Sequence, residues 1–253
     1  MGVHFERNEF RRSTQCCRVE NTAELPVQTP QELAGQNMSL EDLRRQYTMG
    51  GITKANLPER PLALFAEWMQ TALDQAPAEW IEPYAMTLAT ASTDGQVSAR
   101  TVLLRGYDDQ GFVFYTSYDS HKGSQLAENS NCSLVFYWGY LERQVRIRGV
   151  AGKIPTEQSN AYFQKRPRGS QIGATVSRQS QPLQNREELE LAVQQFEAKI
   201  GDGAISLPPT WGGYCVSPTA VEFWQGRRNR LHDRIVYQRE GLEADWQIVR
   251  LSP

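Results

Sequence analysis

The sequence predicts an α+β fold, an antiparallel β-barrel with peripheral helices. Three observations carry that expectation. From Ala85 onward, segments alternate apolar and polar residues with period two and are joined by short turns. Segments with helical period stand before this region and in one interlude within it. The glycine-rich fingerprints GxGxxG and GxxxxGK[ST], which mark nucleotide-binding parallel sheets, do not occur. GxSxG and HExxH are missing as well, which counts against an α/β-hydrolase and a zincin.

Residues 1–37 show neither period and mix Asn, Gln, Thr, Pro and charge, so they read as a poorly ordered extension. A single domain is expected over 38–253. In "SLEDLRRQYTMGG", Ser39 serves as a helix N-cap with Asp42 three residues on, and Gly50-Gly51 ends the helix. A second helix opens at Pro61, and Leu62, Phe65, Trp68, Met69 and Leu73 mark its apolar face. "AMTLATAS" and "QVSARTVLLRG" flank "TDG", a hairpin signal. "FVFYTS", a short helix near "SHKGSQLAEN", "CSLVFYW" and "RQVRIRGVAGKI" follow. The helical interlude comprises "TEQSNAYFQKRP", ended by Pro167, then "SQIGATVSRQS" and the amphipathic "REELELAVQQFEAKIG". "WGGYCVSP", "AVEFWQG", "RIVYQRE" and "DWQIVRL" complete a set of about seven to nine strands. No repeat of 20–50 residues is visible.

The chain has 253 residues, 40% of them apolar and 22% charged, the balance of an ordinary soluble globular protein. A net charge of -2 and a pI near 6.0 argue against a general nucleic-acid binder. Cys16, Cys17, Cys132 and Cys215 show no CxxC spacing, and His4, His121 and His232 are far apart. A structural zinc site and a disulfide scaffold therefore have little support, and a reducing compartment is the default. No apolar run reaches the roughly 20 residues of a membrane span. The N-terminus lacks a secretory h-region, Glu6 spoils a myristoylation pattern, and Glu6 and Glu9 count against an organelle transit peptide. The expected location is cytoplasmic, with neither membrane nor nucleic acid as partner.

Cations meet small hydroxyl residues at four places. Arg100 and Arg105 lie near the two ends of one strand; five apart, they would face opposite sides of a regular sheet. Ser120, His121 and Lys122 stand where a short helix begins, either a phosphate seat or an ordinary N-cap beside a solvated lysine. Tyr162 and Arg166 share a helix face, with Ser170 just past the proline. Together they offer a phosphate monoester a forked guanidinium and two hydroxyls, and a solvent-facing helix end is the alternative. In "EFWQGRRNRLHDR", Arg230, His232 and Arg234 alternate, so a locally extended chain would aim all three one way. Such a run is a solvated face, a nucleic-acid patch or a pocket wall; mutual repulsion among the arginines favours a pocket for an anion or a ring.

At "EFWQGRRNRLHDRI" the chain resembles the pyridoxine (pyridoxamine) 5'-phosphate oxidase family. "LRRQYTMGG", "SARTVLLRG", "FVFYTS", "LVFYWGYLERQVRIRG", "YFQKRPRGSQIGA", "SRQS", "WGGY" and the terminal "VRLSP" occur in that family's order, covering about Ser39 to Pro253. The resemblance implies an FMN-binding split barrel working as a homodimer, with active sites at the subunit interface. The FMN contacts it implies are Arg100, Thr101, Val102, Leu103, Leu104, Arg105, Tyr115, Thr116, Ser120, His121, Lys122, Gln144, Gln179, Ser180, Trp224 and Arg234. The implied substrate contacts are Arg44, Arg45, Gln46, Tyr47, Arg105, Tyr162, Arg166, Ser170, Arg230, Leu231 and His232. Two phosphates, one on FMN and one on the substrate, would explain several cation clusters. The family usually has Lys at the place of Arg105 and Arg at the place of His121. The first change keeps charge and alters reach, and the second can lose a charge.

The activity implied is FMN-dependent oxidation of pyridoxine 5'-phosphate and pyridoxamine 5'-phosphate to pyridoxal 5'-phosphate, with O2 as acceptor. Arg230 and His232 are the implied catalytic pair, orienting and polarising the substrate. A non-catalytic flavin or vitamer carrier on the same barrel is the rival reading, since a fold does not settle function. A carrier would have no need of the set Tyr162, Arg166, Ser170, Arg230 and His232.

Overall fold

The computed structural model describes residues 45–253 apart from Lys54 and Asn56. The described chain from Gln46 onward forms one compact unit. The Ser39 cap, Arg44 and the 37/38 boundary lie outside the described residues. Arg45 to Ile52 is irregular, so the expected helix does not reach Gly50-Gly51.

The first described helix is α1 (Pro61–Asp74). Its buried residues are Pro61, Leu64, Phe65, Trp68, Met69 and Ala72, a stripe spaced three and four apart. Leu73, expected on that face, is exposed, because the stripe runs through Leu64 and Ala72 instead. Phe65 meets Phe112 and Phe136 edge-on at 4.9 and 5.2 Å, and Trp68 meets Phe223 at 5.2 Å, so α1 packs into the sheet's concave face.

Nine described strands form one antiparallel sheet: β1 (Ala85–Ala91), β2 (Val97–Leu103), β3 (Gly106–Asp108), β4 (Gly111–Ser117), β5 (Asn131–Trp138), β6 (Arg143–Lys153), β7 (Trp211–Gln225), β8 (Asp233–Gln238) and β9 (Gln247–Leu251). The order is β2-β1-β5-β6-β7-β4-β3, with β8 also on β7 and β9 on β8. Alternation sets which face is buried: Met86 and Leu88, Phe112 and Phe114, Leu134 and Phe136, and Val145 and Ile147 point inward.

"WGGYCVSP" and "AVEFWQG" are one continuous strand rather than two. The register slips at Gly149, which pairs with Pro218 while Arg148 pairs with Ala220, leaving Thr219 as the extra residue of a bulge. The bulge accommodates a proline that has no N–H to give the ladder. It also flips the pattern, from Tyr214 and Val216 inward to Val221 and Phe223 inward. One edge of β7 is then shared, with Trp211–Val216 on β4 and Ala220–Gln225 on β8. That shared edge splits the barrel.

The remaining helices are α2 (His121–Glu128), α3 (Thr156–Lys165), α4 (Arg168–Val176) and α5 (Arg186–Ile200). Around α3–α5 lies a smaller cluster of Phe163, Ile172, Ile205 and Trp211. No described helix is long and apolar enough to cross a membrane.

Candidate active site

A cavity of about 560 Å³ opens between β2, β4, α2 and the α3–α4 junction. Its lining holds Arg100, Arg105, Lys122, Lys165 and Arg166 and, among the described residues, no Asp or Glu. Arg105 lies beyond the end of β2, and its N–H donates to Val113 O at 2.8 Å. The opposite-face expectation therefore fails, since the strand's alternation stops at Leu103 and both arginines line one cavity.

Lys122 is buried, and its Nζ bonds only neutral oxygens: Gln179 Oε1 at 2.8 Å, Thr116 Oγ1 at 3.2 Å and Ser120 Oγ at 3.3 Å. Ser120 caps α2 by accepting from Gly123 N, and Thr116 donates to Gln179 Oε1. Burial first, and then neighbouring Arg100, hold the Lys122 ammonium down to about 8. Arg100 donates to Thr90 Oγ1 at 2.6 Å and Leu88 O at 3.2 Å, and burial lowers its pKa.

The other end of the cavity carries a second pair. Burial lowers the Arg166 pKa, and nearby Arg105 adds to that effect. One nitrogen of Arg166, Nη1, is buried without a hydrogen-bond acceptor. The guanidinium lies 4.7 Å over the Trp211 ring. Tyr115 and Tyr162 stack at 3.9 Å and 9°, and Tyr115 and Trp211 at 5.5 Å and 11°, giving a flat aromatic wall.

Of the residues implied by resemblance, the cavity gathers Arg100, Thr101, Val102, Leu103, Arg105, Tyr115, Thr116, Lys122, Tyr162, Arg166, Ser170 and Gln179. Ser120 adjoins through Lys122. Leu104 points into the hydrophobic core, while His121 and Ser180 are exposed, Ser180 at φ 73°.

Gln144, Trp224 and Arg234 stand elsewhere, in one row directly opposite each other across β6, β7 and β8. Tyr47 meets Trp224 edge-on at 5.7 Å and His232 at 5.4 Å, and Trp224 lies 4.7 Å from His232. His232 Nδ1 accepts from Arg227 N at 3.1 Å, which leaves the neutral ring's proton on Nε2. Burial, then Arg230, lowers the His232 pKa. Arg230 and Leu231 are exposed beside this cluster, Arg45 and Gln46 before it in sequence. The expected extended run through Arg230 and His232 is interrupted by a 3₁₀ turn, Arg228–Arg230, with Asn229 at φ 57° and Arg230 at φ 61°. A shared direction for Arg230, His232 and Arg234 therefore does not follow from alternation. Arg234 pairs with Glu222 at 2.8 Å.

Sequence reasoning passed over Lys165 and Trp211 as lining residues. "WGGY" carried a signal for Trp211. A Cβ on Gly213 would sit 2.5 Å from Ile154 Cδ1 and 2.9 Å from Tyr115 Cε1, so a side chain there would press on Ile154 and on the Tyr115 ring of the aromatic wall.

Residues 73–199 match the family described as Pyridoxamine 5'-phosphate oxidase, and residues 211–253 match the Pyridoxine 5'-phosphate oxidase C-terminal dimerisation region. The pyridoxine/pyridoxamine 5'-phosphate oxidase of Rubrobacter xylanophilus is 50% identical over 219 residues, 87% of this chain and 99% of that protein. The one from Salinibacter ruber is 49% identical over 85% of this chain and 99% of its own length. The chain belongs to the pyridoxamine 5'-phosphate oxidase family. It is thereby an oxidoreductase. Among solved structures, PhzG from Burkholderia lata 383, in complex with tetrahydrophenazine-1-carboxylic acid, is 33% identical. It superposes with a TM-score of 0.72 over 78% of this chain and 95% of that one. A pyridoxamine 5'-phosphate oxidase-related, FMN binding protein from Nostoc punctiforme PCC 73102, 17% identical with a TM-score of 0.60, covers 79% of this chain and 99% of its own and shares the fold.

Proposed function

We propose that this oxidase-family member carries out the FMN-dependent oxidation of pyridoxine 5'-phosphate and pyridoxamine 5'-phosphate to pyridoxal 5'-phosphate. The observation that carries the reading is two pairs of like-charged side chains, Arg100 with Lys122 and Arg105 with Arg166, in a cavity lined, among the described residues, by no carboxylate. Two such pairs suit two anions, the phosphates of cofactor and substrate. The buried Lys122 among neutral oxygens and the unpartnered Arg166 Nη1 both fit an incoming phosphate.

Arg100 and Lys122, helped by Thr116, Ser120 and Gln179, would hold the FMN phosphate. Arg105, Arg166, Tyr162 and Ser170 would hold that of the substrate. The chemistry FMN supplies when bound is hydride acceptance from the substrate's C4' carbon, with the electrons passed on to O2 as H2O2. The protein's task is then placement. His232, with its proton on Nε2, can donate a hydrogen bond to the substrate, and Arg230 can lie along the pyridine ring.

Gln144, Trp224, Arg230, Leu231, His232 and Arg234 do not line the cavity of their own chain. All but Gln144 fall within the stretch that matches the dimerisation region. This supports a homodimer in which each copy completes the other's cavity.

Aerobic turnover of pyridoxine 5'-phosphate by FMN-reconstituted protein tests the reading, with pyridoxal 5'-phosphate and peroxide followed together. Equal amounts of both are expected. Flavin bound without product would replace this reading with the carrier. Arg230→Ala should lower kcat/KM by about tenfold or more, the scale of one charged contact; an unchanged value would remove Arg230 from its role.

A further inference from the structure

Residues 45–53 form no helix or strand, so their backbone groups must find partners outside a ladder. Side chains in the strands and just beyond their ends supply them. Thr48 N and Met49 N both donate to Glu142 Oε2, at 2.7 and 2.9 Å. Arg227 Nη1 donates to Gly50 O at 2.8 Å. Ile52 N donates to Asp233 Oδ2 at 3.0 Å, and Arg250 Nη2 donates to Ile52 O at 2.7 Å. The segment directly after Tyr47 is thus strapped down by side chains.

Glu142 is the most enclosed of these anchors, 1% exposed, and it adopts φ 55°, a left-handed conformation unusual for a residue with a side chain. From there its carbonyl accepts from Gly226 N at 2.8 Å. Gly226 is the seat of Tyr47: a Cβ added there would lie 2.8 Å from ring atoms Cγ and Cδ1. One residue therefore ties together the floor beneath Tyr47, through its backbone, and the two residues following Tyr47, through its carboxylate.

We propose that Glu142 is a positioning residue for the substrate side of the site, fixing Tyr47 edge-on against Trp224 and His232. This rests on the reading above that Tyr47 and His232 face the substrate. Glu142 does not line the cavity, and its effect passes through the strap.

The test uses the full-length FMN-loaded protein and three variants, Glu142→Ala, Glu142→Gln and Gly226→Ala. Hydrogen exchange of the 47–52 segment is measured alongside KM and kcat for pyridoxine 5'-phosphate and flavin content. In Glu142→Ala, exchange at Thr48 and Met49 should quicken and KM rise, each by about tenfold, the worth of a charged hydrogen bond. Flavin content should stay within about twofold, because the cations assigned to the FMN phosphate lie in the cavity and away from the strap. So should kcat, because a loosened Tyr47 weakens substrate binding rather than the chemical step. Glu142→Gln, whose amide oxygen still accepts, should recover most of both losses. Gly226→Ala leaves the carboxylate in place but displaces the ring, so KM should rise while Thr48 and Met49 keep their protection.

Unchanged exchange or unchanged KM in Glu142→Ala overturns the proposal. So does a parallel loss of flavin, kcat and thermal stability, which would mark Glu142 as general support. If Glu142→Ala does not fold, Gly226→Ala carries the test, and an unaltered KM there sinks the role of the seat. Failure of the wild type to oxidise the substrate would defeat the functional reading alone, since the exchange arm reports on the anchor independently.

Discussion

Arg100, Arg105, Lys122 and Arg166 face a cavity with no carboxylate among its described lining residues, whereas Arg146, Arg227, Arg234 and Arg250 each meet one. Glu222 takes Arg146 and Arg234, at 3.3 and 2.8 Å. Asp233 takes Arg227 and Arg250, at 3.8 and 2.6 Å. Both regions are rich in arginine, and only one supplies its own counter-charge. On the β6–β9 side the arginines organise the protein itself, fastening strands and the Tyr47 strap. In the cavity Arg100, Lys122 and Arg166 are partly desolvated with no described lining carboxylate to offset them, which costs stability. Local positive charge alone does not mark a binding site; the function proposed above rests on positive charge that no described lining carboxylate offsets.

Breaking the unbalanced side should produce the largest effect. Arg166→Ala removes the guanidinium that sits over Trp211 with Nη1 unpartnered. If it grips the substrate phosphate, kcat/KM should fall by about 30- to 100-fold, corresponding to roughly 2–3 kcal/mol for a charged hydrogen bond. The loss should lie mainly in KM, because a remote phosphate is held alike in ground and transition states. Steady-state kinetics decide it, and an equal fall in kcat would relocate Arg166 to the chemical step.

Lys122→Met asks the same question of the cofactor end, and pH sharpens it. FMN affinity should drop by about tenfold or somewhat more, while the FMN-free variant melts no lower than wild type, because a desolvated cation has been removed. The sign with pH follows from protonation. On the proposed reading the ammonium is the form that binds the phosphate, and in the free protein burial holds its pKa down to about 8. Wild-type affinity should therefore hold near neutrality and weaken from pH 8 upward, by at most about tenfold per unit. Fluorescence titration of FMN between pH 7 and 9.5 measures this, and the limb should vanish in Lys122→Met. A limb that survives the substitution would assign the titration elsewhere.

Much of this site was legible in the sequence because local signals coincide with it. Ser120 before Lys122 reads as a cap and a helix start, and the structure places both there. Pro167 after Arg166 reads as a helix end, and the helix does end, at Lys165. Arg166 is then an extended cap rather than part of the helix face of Tyr162, though both line the cavity. The failures share a cause, namely backbone that departs from regular geometry. Alternation put Arg100 and Arg105 on opposite faces, but the strand stops between them. It aligned Arg230 with His232, but Arg230 closes a turn in which it and Asn229 are left-handed. Pro218 read as a strand break, yet a bulge carries β7 through it. Glu142 gave no signal at all, since its importance lies in contacts 93 and 94 residues away in sequence.

The smallest effect is expected from the balanced side. Glu222 is 12% exposed and stands between Arg146 and Arg234, whose side chains are 47% and 26% exposed. Its hydrogen bond raises the Arg234 pKa, but pairs this open to water are screened, and each is worth about 1 kcal/mol or less. Glu222→Gln keeps an acceptor for Arg234 and removes only the charge. Thermal denaturation should show a drop of a few degrees at most, shrinking further as salt is added. FMN affinity should stay within about threefold, because Arg234 retains a hydrogen-bonded partner that fixes its direction. A collapse of affinity comparable to that of Lys122→Met would mean that the Glu222 charge is part of the cofactor site. The two regions would then differ in placement only, and charge balance would no longer distinguish scaffold from site.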